Sequence, residues 1–202
     1  MVKIDNNIFY SIGTGFYKEK SSRFISYSFS VMVFNDIKNY LGQLKEKYPD
    51  SNHICYAYRL LSGKIINEFA TDAGEPKGSS GIPILNNLKR KKLINSAVFV
   101  VRYFGGKKLG IQGLIHAYSA STLDCLENSK IGPWIKNNIY ILEIKYELLG
   151  IVEKIIDNNN GKIIDKNFSE KIQITVELID KNSELFLNSF SDLKSVKIID
   201  KN

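Results

Sequence analysis

Residues that usually carry catalysis or bind metals are scarce in this chain: among 202 residues there are two cysteines, two histidines and one tryptophan. Cys55 and Cys125 are far apart and in no metal-ligand spacing, which predicts buried thiols in a reducing compartment. His53 and His116 have neither a carboxylate nor a second histidine at ligand spacing, so no metal and no cofactor is expected. Apolar runs are short. None is long enough to cross a bilayer, and the opening Met-Val-Lys-Ile-Asp-Asn-Asn has no apolar core of signal-peptide length. The expected setting is cytoplasmic, with no membrane partner. Arginine is sparse too, four residues against 24 lysines. Arg23, Arg59 and Arg102 therefore stand out, because a guanidinium fork that binds bidentately is not replaceable by an ammonium.

What is present is ordinary globular composition, 44% apolar and 24% charged, enough to bury a core. The length suits one large domain or two small ones. The net charge of +7 is unevenly placed: residues 1–130 hold 18 Lys and Arg against 10 Asp and Glu, and residues 131–202 hold 10 against 11. The excess positive charge thus lies in the first part. That asymmetry suggests two domains, 1–130 and 131–202, and an acidic partner for the first, nucleic acid among the candidates. The alternative is a solvated lysine-rich surface.

Residues 8–17 and 23–33 read as strands. In the second, Phe24, Ser26, Ser28 and Ser30 alternate with Ile25, Tyr27, Phe29 and Val31, a period of two that implies one buried and one wetter face. Helical spacing follows over 35–48, with Asn35 or Asp36 able to cap it. Strands 53–61 and 64–71 form a hairpin turning at Ser62-Gly63. A turn cluster, 72–81, precedes a helix capped by Ser79 or Ser80 with Pro83 in its first turn. Then come a strand buried on both faces (97–104), a helix (114–128) and a break (129–138). The remainder reads strand 139–145, helix 148–156, strands 161–168 and 171–179, helix 183–190 and strand 196–200. That order is βαββαβ, the ferredoxin-like split unit.

Two glycine-bearing loops, 72–81 and 104–113, each follow a strand and precede a helix. If the strands neighbour each other in one sheet, the loops meet at one edge. Glycines 105, 106, 110 and 113 let another surface approach the backbone, and N–H groups ahead of a helix, beside Lys107 and Lys108, attract anions. The alternative is a connection that merely packs tightly. Pooled at that edge are Asp72, Glu75, Lys77, Ser79, Ser80, Arg102, Lys107, Lys108 and His116. They suit a polar ligand or acid–base work. His53 and His116 are also candidate partners for a nucleophile, though such histidines more often make a structural hydrogen bond. The stretch Gly105-Gly-Lys-Lys-Leu-Gly110 has neither Walker spacing nor a dinucleotide fingerprint, so nucleotide hydrolysis is not supported.

Thr71 to Pro83 and Val101 to Tyr118, together with Ser22-Arg-Phe-Ile25 and His53-Ile-Cys-Tyr-Ala-Tyr58, resemble the signature of the IMPACT/YigZ family across residues 10–128. The resemblance implies an α+β protein: a ribosomal-protein S5 domain 2-like α/β sandwich followed by a small ferredoxin-like domain. Eukaryotic members of that family regulate translation through protein–protein binding, and RNA or ribosome binding is the usual proposal for bacterial ones. From the two loops and these motifs together, the expected binding set is Arg23, His53, Asp72, Glu75, Lys77, Ser79, Arg102, Gly105, Gly106, Lys107, Lys108, Gly110, His116 and Tyr118, with no catalytic residue among them. The chain departs from the family pattern at Ala73 (usually a second aspartate), Gln112 (glycine) and His116 (lysine or arginine). Three readings follow. The first is a non-catalytic protein binding RNA, the ribosome or a translation-associated protein; the second is an enzyme acting on a small anionic substrate with Glu75 as base; the third is a pure protein-interaction module.

Overall fold

In a computed structural model, which describes residues 6–63, 65–193 and 195–200, the chain divides into two compact units, Met1–Trp134 and Ile135–Asn202. The first is built on a five-stranded sheet in the order β2-β3-β6-β4-β5 (Thr14–Glu19, Ser22–Ser30, Ser96–Tyr103, His53–Ser62 and Ile65–Thr71), with every neighbouring pair antiparallel. Alternation decides the faces. Val98 and Val100 of β6, with Cys55 and Ala57 of β4, pack under helices α2 (Gly81–Arg90) and α3 (Gly110–Glu127). Ala97, Phe99 and Val101 turn the other way, onto Ile37 and Leu44 of helix α1 (Phe34–Lys47). Strand β6 is buried on both faces, as its apolar run requires.

The strand ahead of the first hairpin is two pieces rather than one. The short β1 (Asn7–Phe9) pairs with β7 (Ile131–Pro133), and the chain then changes partner so that Gly13 meets Ser28. Strand β7 falls in the segment read as a break. Its pairing with β1 keeps residues 131–134 with the first unit, past the expected division at 130. Of the two faces of β3, the serine-bearing one is the more deeply buried: Phe24, Ser26 and Ser28 are fully covered. Small side chains there let α3 come close, and Ser26 donates to the Ser121 carbonyl at 2.6 Å. Helix α3 starts at Gly110, four residues earlier than expected, which puts Gln112 and Gly113 in its first turn and leaves the loop as 104–109. Strand β4 runs through Ser62, which pairs with Ile65, so the turn opens at Gly63. Lys64, expected to start the next strand, lies outside the described residues.

The loop-bearing strands β5 and β6 are not neighbours, as the sequence argument supposed. Strand β4 stands between them, antiparallel to both. The two therefore run in the same direction and their carboxyl ends reach the same edge of the sheet, with His53 at the start of β4 between them.

The second unit runs β8 (Asn137–Ile144), α4 (Leu149–Asn158), β9 (Lys162–Phe168), β10 (Ile172–Ile179), α5 (Ser183–Asn188) and β11 (Lys197–Asp200), with single 3-10 turns leading into both helices. Its sheet has the order β11-β8-β10-β9, antiparallel throughout. Leu142, Ile144, Ile172, Ile174 and Val176 on one sheet face meet Val152, Ile156 and Phe186 from the helices. Among the described residues no helix is long and apolar enough to cross a membrane.

The approach of α3 to β2 is set by Gly15, where an added Cβ would stand 2.3 Å from the Cys125 nitrogen and 2.7 Å from the Ser121 carbonyl oxygen. Gly15→Ala should cost about 1–3 kcal/mol through overpacking. Gly42→Ala, exposed on α1 with open space at its Cβ, should instead add about 0.5–1 kcal/mol. Urea unfolding followed by circular dichroism reads both.

Candidate functional site

Loop 72–80 is folded around one carboxylate. Asp72 Oδ1 accepts hydrogen bonds from the Ser80 hydroxyl at 2.7 Å, the Gly81 nitrogen at 2.8 Å and the Ser80 nitrogen at 3.1 Å, while Oδ2 accepts from the Gly78 nitrogen at 2.7 Å. Ser80, one of the two serines expected there, stands at the N-cap position of α2 but makes no side-chain cap hydrogen bond; Asp72 supplies the acceptor for the first helical nitrogen, that of Gly81. Ser79 is buried and donates inward to the Pro76 carbonyl. Desolvation raises the Asp72 pKa, but the hydrogen bonds from Gly78, Gly81 and Ser80 outweigh it, and the group titrates below the usual aspartate range.

Beneath this loop lies a buried ion pair. Arg102, at the end of β6, donates from Nη1 to Glu75 Oε1 at 2.6 Å and Oε2 at 2.8 Å. The Tyr118 hydroxyl, from α3, donates to the same Oε1 at 2.7 Å. The Cys55 thiol completes the cluster, 3.2 Å from the Tyr118 oxygen and 3.0 Å from the Asp72 carbonyl. Burial pushes the Cys55 pKa up to about 11, against hydrogen bonds from Ser80 and Tyr118 that pull it down. It also raises that of Tyr118, reinforced by the charges of Cys55 and Glu75. A thiol so placed is neutral at physiological pH and is no nucleophile.

Above the pair opens a cleft of about 440 Å³. Glu75 and Pro76 from the first loop line it, with Phe104, Lys108 and Leu109 from the second, Gly110 and Ile111 from α3, and Asn52 and His53 from the start of β4. The two loops therefore meet. His53 donates from Nδ1 to the Ala73 carbonyl at 2.9 Å, which fixes its tautomer, and Asn52 Oδ1 accepts from the Phe104 nitrogen at 2.7 Å. The Arg102 guanidinium lies against two rings, 5.4 Å from the Phe24 centroid and 5.5 Å from that of Phe104.

The predicted residues divide by where their side chains go. Glu75, Arg102, His53, Lys108 and Gly110 line the cleft, and Gly106 lies in the second loop with open space at its Cβ. Lys77 and Lys107 are exposed in the same two loops. Asp72, Ser79 and Tyr118 are turned inward. Gly105 serves packing: a Cβ there would stand 2.1 Å from the Ser21 carbonyl carbon. Arg23 is exposed, over the Tyr103 ring at 4.8 Å, on the sheet face opposite Arg102. His116 is exposed on α3 and meets Tyr17 edge-on. Arg102, expected as a surface cation, is buried and neutralised by Glu75. The sequence reading missed Asn52, Pro76, Phe104 and Ile111; an aromatic between Arg102 and the glycines was the available signal for Phe104. Among the described residues no group of three or more His, Cys, Asp and Glu could hold a metal ion.

The model of the Impact N-terminal domain matches residues 20–126, a span that holds both loops and the whole cleft. The chain belongs to this family. It is 26% identical over 183 residues to an IMPACT family member of Haemophilus influenzae, a match covering 89% of this chain and 88% of the relative. It is 28% identical over 178 residues to the IMPACT family member YvyE of Bacillus subtilis, covering 88% and 82%. A crystal structure described as that of a hypothetical protein superposes with a TM-score of 0.71 at 25% identity, covering 98% of both chains.

Arg102→Met would leave the Glu75 carboxylate buried without its countercharge and should cost about 3–5 kcal/mol, most of it recovered in the Arg102→Met/Glu75→Leu double variant; denaturant unfolding of the three proteins checks this. Folding lowers the Asp72 pKa, so its contribution to stability is complete above the unfolded value near 4 and is lost as pH falls through the folded value. Asp72→Asn should lack that acid limb, giving a flatter stability curve than the parent below about pH 4.

Proposed function

We propose that this protein acts without catalysis in translation or stress regulation, its first unit meeting RNA or the ribosome through the surface formed by the two loops. One observation carries the reading. Glu75, Tyr118 and Cys55 are bonded to one another in the interior, with Glu75 held by Arg102, while Lys77, Lys107 and Lys108 stand exposed around an open cleft. A general base needs free lone pairs at the reacting atom, and three hydrogen bonds already hold the Glu75 carboxylate. Exposed lysines on a preformed backbone suit phosphate, which they attract by charge alone. Family membership supports the link to translation. We further read the first unit as ribosomal-protein S5 domain 2-like and the second as ferredoxin-like. For the second, the βαββαβ order and the sheet order β11-β8-β10-β9 support the assignment.

The charge reversal Lys107→Glu/Lys108→Glu tests the reading. Co-sedimentation with ribosomes and with single-stranded RNA at several salt concentrations should show at least a tenfold loss of affinity. The log–log salt slope should be shallower by roughly 1.4, about 0.7 per lost phosphate contact. A parent protein that ignores RNA yet retains a translation factor in high salt would replace this reading with a protein-interaction module.

A further inference from the structure

We propose that the cleft between the two loops is a pocket for one nucleoside 5′-phosphate unit, its base stacked on Phe104 and its phosphate held by Arg102, Lys108 and the first turn of α3. The inference rests on the reading of this surface as facing nucleic acid, and it specifies what the surface takes in.

Arg102 has donors to spare. Its side chain is only 6% exposed, yet both of its hydrogen bonds to Glu75 leave from a single nitrogen, Nη1. Nε is buried with no partner, and Nη2 makes no hydrogen bond to the described residues. Buried donors in folded proteins are nearly always paired. A guanidinium on the floor of a cleft, with donors left over from its ion pair, is accounted for by an acceptor that arrives from the cleft.

Other features of the same walls say what that acceptor is. Helix α3 begins without a side-chain cap, so among the described residues no capping side chain accepts from its first N–H groups, and Gly110 and Ile111 of that turn line the cleft beside Lys108. An anion fits there. Glu75 shares the floor, but Arg102 matches its charge; the ammonium of Lys108 and the positive end of α3 remain to favour a phosphate. The Phe104 side chain, 45% exposed, has Arg102 near its ring and is left with open area for a base, a contact that any nucleobase can make. A peptide carboxylate would use the same donors and leave the ring idle, so the nucleotide is favoured. The cleft volume, about 440 Å³, lies within the range of small-ligand sites.

Calorimetric titration of the intact protein with AMP, adenosine, inorganic phosphate and an acetylated tripeptide tests the pocket. AMP should bind saturably and more tightly than adenosine or phosphate alone. Phe104→Ala, at an exposed position, should weaken AMP roughly tenfold and leave phosphate unchanged. Amide resonance shifts on adding AMP should centre on Gly106 to Gly113. Absence of saturable AMP binding would overturn the proposal. So would phosphate binding as tightly as AMP with no effect of Phe104→Ala, or preference for the tripeptide. Competition separates the sources: displacement of AMP by a 5′-phosphorylated tetranucleotide but not its 5′-hydroxyl form supports an RNA terminus, and competition by mononucleotides alone supports a free nucleotide. RNA co-sedimentation without AMP binding overturns the pocket and spares the proposed function. AMP binding without RNA co-sedimentation does the reverse.

Discussion

The ion pair between Arg102 and Glu75 joins the end of the central strand to a loop 27 residues away in sequence, and Tyr118 brings helix α3 to the same carboxylate. Three elements therefore converge on one buried charge. Such a pair contributes little net stability, since desolvation offsets most of its attraction. What it supplies is a single permitted arrangement. Any displacement of loop 72–80 would leave a carboxylate or a guanidinium buried alone, so alternative placements of Glu75 are penalised by several kcal/mol, on the order of 3–5. Asp72 does the same for the outer half of the loop with four backbone and hydroxyl donors. The cleft above is in this sense built from beneath, by the ion pair on its floor and the carboxylate that folds its first loop.

The order of elements was legible because the chain states it twice, in periodicity and in punctuation. The alternation in β8 and β10 and the i, i+3, i+4 spacing in α1 and α4 are patterns that only one backbone geometry satisfies. Loop convergence was readable too, though for an incomplete reason: two strands, each followed by a loop and a helix, carry their loops to one edge whenever they run the same way, neighbours or not. Strand β7 escaped notice because three residues cannot declare a period, and its only reason to be extended is β1, more than a hundred residues earlier in sequence.

Direction was the harder thing to read. Arg102 looked like a surface cation because arginine usually is one, but alternation along β6 already set it on the face of Val98 and Val100, beneath the helices. Alternation along β3 left open which of its faces was the wetter one. The size of the serines decided it, since a hydroxyl bonded to Ser121 is as easily buried as a methyl and takes little room. Composition reports what a side chain prefers alone, and contact partners across the sheet were needed to show what it had been given.

The scarcity of arginine beside abundant lysine acquires a structural meaning here. Arg102 sits where a planar group lies near two aromatic rings and bonds a carboxylate at once, a site that suits a flat, weakly hydrated guanidinium better than an ammonium. Lys77, Lys107 and Lys108, on exposed loop positions, need only charge and reach. The departure at Ala73 fits the same division. It is an exposed residue in the left-handed region, φ +46°, a conformation that aspartate tolerates better than alanine. Its carbonyl still fixes His53, and the carboxylate that the family pattern would place there is gone. One negative charge fewer beside the cleft favours an anionic ligand, at the cost of some backbone strain in the loop that frames it.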